Sequence, residues 1–207
     1  MNKGKSAQIR DMVRNTGDEE SLLDEFRNGD DSAFALVYNK YVNELLSYGM
    51  GLGFERETLK DTIHDIFCKL YANKDHLKKI QDLKYYLFRA LKNSLINLRK
   101  AQAYPLDISG QELNFSVTVT VLDELIQDED RDYIKKEVEK YLNLLTSRQR
   151  EAIYLRFIQE LSYEEIATLL DMSPHAVRKL TSRAILRIRK ENLPFFLLLA
   201  SLNPWHL

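Results

Sequence analysis

The sequence predicts an all-α fold of two small helical domains joined by an acidic linker. Apolar residues recur at spacings of three and four before residue 101 and again after residue 145, which is the period of amphipathic helices. Between these stretches, residues 101–130 contain seven acidic residues and no Lys or Arg. This segment is predicted to be a linker, because compact domains rarely contain about thirty residues of loop.

The pattern divides the 207 residues into five segments. They are a polar N-terminal extension at 1–20, a helical domain at 21–101, the acidic linker at 102–132, a second helical domain at 133–192 and an apolar tail at 193–207. The first ten residues lack the apolar core of a secretory signal. The tail is too short to span a bilayer, which requires about twenty residues. It either folds back onto a domain or contacts a regulatory or membrane-proximal partner.

The composition is that of an ordinary globular protein, with 44% apolar residues and a net charge of −1. The net charge is near zero because an acidic linker lies between two basic stretches, so it does not exclude nucleic-acid binding. The single cysteine, Cys68, excludes an intramolecular disulfide and fits a reducing cytoplasm. No histidine spacing typical of metal ligands, paired carboxylates or nucleophile motif is present. We therefore predict no metal, no cofactor, no small-molecule substrate and no enzymatic activity.

The first domain is predicted to contain four helices. A turn at residues 28–31 separates the first two, and Gly49, Gly51 and Gly53 indicate a break after the second. The third helix covers about residues 57–71, and a polar loop follows it at 72–81. Its apolar side carries Leu59, Ile63, Ile66, Phe67 and Leu70, and its other side carries Asp61, His64, Asp65 and Cys68.

The fourth helix, at residues 82–101, combines aromatic and basic residues and has no acidic residue from Lys84 to Lys100. Aromatic residues at helical spacing usually belong to a core, which predicts burial of Tyr86, Leu87, Leu91, Leu95 and Leu98. Unstacked bases, however, bind to aromatic faces and cationic grooves. A role in nucleic-acid binding is therefore an equal alternative for this helix.

The linker contains an alternating run from Val117 to Val121, but an isolated strand has nothing to pair with. We predict a turn or helix near residues 122–126 instead. At about 3.3 Å per residue, the linker can extend to roughly 100 Å. The two helical domains can therefore lie far apart.

The second domain has the pattern of a helix-turn-helix. Thr146 with Gln149, and Ser162 with Glu165, each place a hydroxyl three residues before a Gln or Glu, as in a capping box. Ser173 followed by Pro174 predicts the start of a third helix after a short turn.

The third of these helices has one apolar and one basic face. Val177, Leu180, Ala184 and Ile188 form the apolar stripe, and residues 174–190 include six basic residues and no acidic one. Such a helix fits a major groove. A solvated basic helix is the alternative, but three successive helix starts with a short turn favour DNA binding. The candidate contacts are Ser173, Pro174, His175, Arg178, Lys179, Ser182 and Arg183.

Four blocks of sequence resemble the bacterial RNA polymerase sigma factors of the sigma-70 family, extracytoplasmic-function (ECF) type, similar to those of Bacteroides-like bacteria. Residues 23–41 resemble the family's opening pattern "GD..AF..LY..Y", and residues 60–71 resemble "ED..Q..F..LW". Residues 86–99 are similar to "WL..IARNLA.D..R", and residues 145–189 are similar to its helix-turn-helix domain. Their specificity is high in combination, because the helix-turn-helix alone occurs in many regulators.

The resemblance implies a role for each block. The third helix would dock on the coiled-coil clamp of the largest subunit of core RNA polymerase, through Asp61, His64, Asp65 and Phe67. The fourth helix and the loop before it would recognise and melt the −10 promoter element, through Tyr86, Arg89, Asn93, Asn97, Arg99 and Lys100. The helix that begins at Pro174 would read the −35 element, and the linker would run through the polymerase interior. An anti-sigma factor is an implied partner.

Four positions depart from the family's pattern: His64 replaces Gln, Tyr86 replaces Trp, Asn97 replaces Asp, and Asp171 replaces Gly. Asp is short and tolerates a left-handed turn, so Asp171 is compatible with the fold. The main functional expectation is an initiation subunit that gives polymerase its promoter choice and promotes DNA melting. A helix-turn-helix regulator that acts without polymerase is the alternative. The arrangement of the two domains without polymerase does not follow from the sequence.

Overall fold

The computed structural model describes residues 16–102, 113–116 and 138–191, and every regular element in these ranges is helical. The all-α prediction is therefore confirmed. The helices are α1 (Thr16–Asn28), α2 (Asp31–Gly51), α3 (Arg56–Ala72), α4 (Lys74–Leu77), α5 (Leu83–Gln102), α6 (Ser147–Ile153), α7 (Tyr163–Leu170) and α8 (Pro174–Glu191). Residues 138–143 are also helical, and the π-helical turn Tyr154–Ile158 continues α6. Most of the linker and the apolar tail lie outside the described residues.

The turn predicted between the first two helices is present, and local chemistry explains it. Gly29 adopts a φ of 85°, in the left-handed region that glycine tolerates. Asp30 then caps α2, because its carboxylate accepts a hydrogen bond from Ala33 N at 2.8 Å. Helix α1 thus begins at Thr16, before the predicted domain boundary, and ends where the sequence indicated.

Helix α2 is the central element of the N-terminal helical group (α1–α5) and packs against α1, α3 and α5. It continues through Gly49 to Gly51, and the predicted break follows at residues 52–54, where Gly53 has a φ of 87°. Gly49 is required for close packing: a Cβ there would lie 2.2 Å from a methyl group of Leu59 on α3. A larger residue there would require the Leu59 side chain to move.

The prediction of a polar loop at residues 72–81 is wrong in one respect, because this segment contains the short helix α4. Two apolar side chains in this segment, Leu77 and Ile80, are buried. Arg27 of α1 also donates to the carbonyl oxygen of Ile80 at 3.0 Å. The segment between α3 and α5 is therefore anchored to the body of the group, because burial of its apolar residues stabilises one conformation.

The C-terminal helical group (α6–α8) forms the predicted helix-turn-helix, and both capping boxes are present. Ser162 N donates to the Glu165 carboxylate at 2.7 Å, and Glu165 N donates to the Ser162 hydroxyl at 3.2 Å. Asp171 adopts φ 50° and ψ 56°, which confirms the left-handed turn between α7 and α8. The π-helical turn after α6 was not predicted.

The apolar stripe of α8 faces inward as predicted. Val177, Ala184 and Ile188 are buried, and Leu180 is half-buried. The largest hydrophobic core contains residues of both helical groups, together with Phe115 from the segment between them. The N-terminal and C-terminal groups are thus packed against each other. We call this packing of the two groups the closed arrangement.

Candidate nucleic-acid and protein interfaces

Helix α8 presents the predicted recognition residues to solvent. Ser173, His175, Arg178, Lys179, Ser182 and Arg183 are exposed, and Pro174 is half-buried. Ser173 fixes the start of the helix, because its hydroxyl accepts a hydrogen bond from Ala176 N at 3.2 Å. One face of α8 is therefore buried in the C-terminal group, and the opposite face is a continuous polar and basic surface of a size that suits a major groove.

Arg178 has partners on the preceding helix that sequence reasoning missed. Its Nη2 lies 2.9 Å from Glu164 Oε1, and its guanidinium lies over the Tyr163 ring, 5.2 Å from the centroid. Arg156 lies over the same ring at 4.7 Å. Exposed ion pairs of this kind contribute about 1 kcal/mol or less. The contact can therefore orient Arg178 and still release it to a phosphate or a guanine edge.

A stripe of polar residues runs along the exposed side of α5. Arg89, Asn93, Asn97 and Lys100 are all exposed and follow at spacings of four, four and three, which places them on one helix face. Leu87, Leu91 and Leu95 occupy the buried face. The leucines of α5 therefore belong to the core, as predicted, and its polar residues form a separate exposed surface.

Two of the residues predicted to contact the −10 element differ from this stripe. Tyr86 is half-buried, and its ring makes an edge contact with His76, with 5.5 Å between the ring centroids. Arg99 is half-buried on another side of α5, where its guanidinium lies 5.9 Å from the centre of the Phe54 ring. Arg99 thus packs against the turn between α2 and α3 and lies beside the stripe.

Helix α3 exposes three of the four residues predicted to contact polymerase: Asp61, His64 and Asp65. Asp61 and Asp65 line an open groove of about 650 Å³ between α3 and α5, and Asn97 of the α5 stripe lines the same groove. At the start of α3, Lys60 donates to the Glu57 carboxylate at 2.7 Å, which lowers the pKa of Glu57. The acidic surface of α3 and the polar stripe of α5 are therefore adjacent.

Phe67 is not a surface contact, and this prediction is wrong. Its side chain is completely buried. The ring makes edge contacts with Phe34 and Tyr38 of α2, at centroid distances of 6.1 and 5.0 Å. Phe67 anchors α3 to α2, because burial of its apolar ring in the core stabilises the fold.

Within the described residues, no group of three or more His, Cys, Asp or Glu side chains is arranged to hold a metal ion. Cys68 is exposed, and its Sγ lies 3.4 Å from His64 Nε2 on the same helix. Within the same described ranges, no helix combines the length and the apolar character needed to cross a bilayer.

The C-terminal group is similar to a known protein family. Residues 135–188 match a family described as "Sigma-70, region 4". This range includes α6, α7 and most of α8, and therefore the exposed basic face of α8.

Relatives extend the similarity to the N-terminal group. The chain is 29% identical to the RNA polymerase sigma factor YlaC of Bacillus subtilis, in an alignment that covers 74% of this chain and 88% of the relative. It is 25% identical to the RNA polymerase sigma-H factor of Pseudomonas aeruginosa, with 80% and 89% covered. It is also 25% identical to the ECF RNA polymerase sigma-E factor of Escherichia coli K12, with 86% and 92% covered.

A solved structure shares the fold. It is the sigma factor RpoE of Bartonella quintana in complex with the anti-sigma factor NepR. The superposition has a TM-score of 0.50 at 23% sequence identity, and covers 76% of this chain and 94% of the other. The helices of both groups thus have counterparts in a known fold.

Proposed function

We propose that this chain is an RNA polymerase sigma factor of the sigma-70 family, ECF type, the dissociable subunit that directs core polymerase to its promoters. It recognises the −35 and −10 elements and promotes DNA melting. The observation that carries this function is the presence of two separate surfaces suited to DNA on one chain: the basic face of α8 and the polar stripe of α5. An ordinary helix-turn-helix regulator needs only the first.

Each surface has a proposed target. The α8 residues Ser173, His175, Arg178, Lys179, Ser182 and Arg183 read the −35 element, where Arg side chains form bidentate contacts with guanine and Lys side chains contact phosphates. The α5 stripe and Tyr86 bind the −10 element, where an aromatic ring beside cationic and amide groups can hold an unstacked base. The contact between Tyr86 and His76 supports this, because it joins the short helix α4 to α5.

The acidic surface of α3 is the proposed site for core polymerase, at the clamp coiled coil of its largest subunit. Asp61 and Asp65 lie on successive turns of one helix and are exposed, so they can pair with cations of a partner helix. The domain limits at residues 21–101, 102–132 and 133–192, cytoplasmic localisation, an anti-sigma partner and an origin in Bacteroides-like bacteria belong to the same proposal. The chain needs no covalent chemistry of its own for this function.

A reconstituted transcription assay tests the proposal. Purified chain is mixed with core polymerase and a library of promoter fragments, and the start sites of the transcripts are mapped. We expect transcripts that depend on the added chain and that share upstream elements. Specific DNA binding by the chain alone, with transcripts independent of it, would instead support the regulator.

A charge-reversal variant tests the docking surface on its own. Asp61→Lys with Asp65→Lys should abolish binding to core polymerase, because two attractive contacts become repulsive. The matched control is Glu25→Lys with Glu160→Lys, which makes the same change in net charge at exposed positions elsewhere. Equal loss of binding in both variants would remove the specific role of α3.

A further inference from the structure

The two helical groups are joined by a buried polar cluster. Glu151 of α6 is 3% exposed, and its Oε1 atom accepts two hydrogen bonds. One comes from the Tyr48 hydroxyl of α2 at 2.6 Å and the other from Lys92 Nζ of α5 at 2.7 Å. Both donors are also buried. The carboxylate thus belongs to the C-terminal group, and these two donors belong to the N-terminal group.

Aromatic rings surround this cluster. The Tyr48 ring is parallel to that of Tyr154, with an angle of 1° and a centroid distance of 6.0 Å. Tyr154 lies in the π-helical turn after α6. Such turns change the direction of side chains within a helix and occur frequently at functional sites. This ring contact also crosses from one helical group to the other.

The segment between the groups completes the contact. The Phe115 ring is completely buried and lies 5.9 Å from the Tyr48 ring and 5.2 Å from the Tyr154 ring. Its backbone N donates to the Ser147 hydroxyl at 2.6 Å, and Ser116 N donates to the Gly51 carbonyl oxygen at 2.7 Å. The segment is therefore hydrogen-bonded to both groups.

Gly51 makes room for this ring. A Cβ at position 51 would lie 2.6 Å from the Phe115 ring, which is closer than real Cβ contacts allow. The end of α2 is thus shaped to receive Phe115. Tyr48, Lys92, Phe115 and Glu151 are hereafter called the interdomain latch.

The closed arrangement is too compact to occupy both promoter elements. The −35 and −10 elements are about 25 base-pair steps apart, or roughly 85 Å at about 3.4 Å per step. A compact body of about 150 residues has a radius of gyration of about 15 Å and so a diameter of about 40 Å. Helices α5 and α7 are in direct contact in the closed arrangement. The recognition surfaces must therefore separate before both are bound.

The length of chain between the groups permits this separation. Thirty-five positions, 103–137, lie between the end of α5 and residue 138. At about 3.3 Å per residue they can span roughly 115 Å. Release of Phe115 is required for this extension, because the anchored segment at residues 113–116 otherwise holds the two groups together.

We propose that the interdomain latch holds the free chain in a closed, autoinhibited state, and that promoter engagement requires Glu151 to separate from Tyr48 and Lys92 while Phe115 leaves its site beside Gly51. This inference rests on the proposed function, since it is the distance between promoter elements that makes the closed state inactive. Opening also exposes the Lys92 ammonium group on α5, the helix that carries the −10 stripe. A DNA phosphate can then replace the Glu151 carboxylate as its counterion.

The polar character of the latch suits a contact that must open. A well-packed apolar cluster of the same volume often holds two surfaces more tightly than a buried ion pair does. Glu151, Lys92 and Tyr48 all regain hydrogen bonds to water when the groups separate, which offsets part of the cost of exposing the hydrophobic core that the groups share. The closed population then reduces the apparent affinity for polymerase and promoter by the fraction of chain that is open.

Small-angle X-ray scattering of the isolated full-length chain tests the proposal. Glu151→Lys places a second cation against Lys92 and should open the chain, with a rise of roughly a quarter or more in radius of gyration for two tethered domains. Phe115→Ser should have the same effect, and it changes no residue of either helical group because Phe115 lies in the segment between them. Glu25→Lys, an equal charge change at an exposed site on α1, should leave the radius unchanged.

A triple variant tests whether a chain that is held closed is less active. Tyr48→Phe, Lys92→Met and Glu151→Leu together replace the polar cluster with apolar groups of similar volume, and the chain should stay closed. With core polymerase, this variant should form open complexes more slowly than the wild type, and Phe115→Ser should form them at least as fast. Circular dichroism verifies that each variant keeps its helical content.

The outcomes separate this proposal from the function on which it rests. An unchanged radius of gyration in both Glu151→Lys and Phe115→Ser would overturn the latch, whatever the transcription assay shows. Absence of promoter-specific transcripts from the wild type and every variant would overturn the sigma-factor function, whatever the scattering shows. Open complexes at the wild-type rate from a closed triple variant would show that closure does not inhibit.

Discussion

Lys92 on α5 and Glu151 on α6 lie 2.7 Å apart, from Nζ to Oε1, although 59 positions separate them in the chain. Their side chains are only 11% and 4% exposed. Removal of one member of a buried ion pair leaves the other without compensation in a medium of low polarity. This pair is therefore the part of the interface between the helical groups at which a single substitution has the largest expected effect.

Lys92→Met should lower the free energy of unfolding by about 3–5 kcal/mol, because it leaves the Glu151 carboxylate buried without a cation. Urea denaturation followed by circular dichroism measures this change. Lys84→Met is the matched control on the same helix. Lys84 pairs with Glu44 at 3.0 Å in a half-exposed position, and the expected loss is about 1 kcal/mol or less. Similar losses in the two variants would contradict the special role of Lys92.

The stability of the closed chain should decrease as the pH rises above about 10, the ordinary pKa of tyrosine. Burial, and then the charge of Glu151, raise the pKa of Tyr48 well above this value. The folded chain therefore keeps the phenol proton at a pH where the unfolded chain releases it. The contribution of this group is complete below the unfolded pKa and is lost as pH rises through the folded pKa.

Urea denaturation between about pH 8 and 11 measures this dependence. Tyr48→Phe should make the decrease less steep, since it removes the group responsible. Tyr71→Phe is a comparison at the surface: a hydrogen bond to Asp31 raises the pKa of Tyr71, but this side chain is not buried. A decrease that is as steep in Tyr48→Phe as in the wild type would assign the effect to other groups.

Arg178→Ala should weaken binding to a −35 duplex by about 1–3 kcal/mol if the guanidinium contacts a base. Glu164→Gln should have a smaller effect on affinity and should relax sequence preference at the same base, because Glu164 orients Arg178 without meeting the DNA. Fluorescence anisotropy with single-base variants of the duplex measures both. Arg187→Ala, at an exposed position near the end of α8, should instead weaken all duplexes by a similar factor. Unchanged sequence preference in Arg178→Ala would exclude a base contact.

Arg89→Ala should reduce binding of polymerase holoenzyme to a single-stranded −10 element more than Arg99→Ala does. Arg89 lies on the exposed stripe of α5, whereas Arg99 packs over Phe54. Loss of Arg99 should appear instead as a lower melting temperature, because its aliphatic part covers apolar surface. Filter binding and thermal denaturation of both variants give the comparison. The reverse order of effects would place the DNA on another side of α5.

Asp171→Val should destabilise the C-terminal group by about 1–2 kcal/mol, because a β-branched residue is strained at positive φ. Asp171→Gly should be tolerated, since glycine adopts the left-handed region freely. The melting temperature of the full chain measures both changes. Equal melting temperatures for the Val and Gly variants would mean that the turn between α7 and α8 relaxes.

Sequence reasoning succeeded where neighbouring residues along the chain determine the structure. The capping boxes at Thr146 and Ser162, the left-handed turn at Asp171 and the buried stripe of α8 all involve residues within a few positions of each other. Hydrogen bonds and side-chain spacing within one or two helical turns are sufficient to specify such features. The same applies to the exposed surfaces of α5 and α8, which follow from helical periodicity alone.

The errors arose where the environment of a side chain depends on distant parts of the chain. Phe67 matches a family motif, but whether it faces solvent depends on Phe34 and Tyr38 of α2. Arg99 belongs to a basic run, but it is half-buried and its guanidinium lies over the Phe54 ring in the turn between α2 and α3. Leu77 and Ile80 are too few to show a helical spacing of apolar residues in a polar segment. The short helix α4 is explained by their burial against the N-terminal group. Tertiary context overrode the local pattern at each of these positions.

The sequence by itself determined the all-α fold, the limits of most helices and the two surfaces suited to DNA, because each depends on interactions within a few residues. Only the tertiary structure decided that the two helical groups are closed on each other. Glu151 meets Tyr48 across 103 positions and Lys92 across 59, and no periodicity encodes a contact between residues so far apart. The buried carboxylate needs donors that its own helical group does not supply, and the fold brings them from α2 and α5.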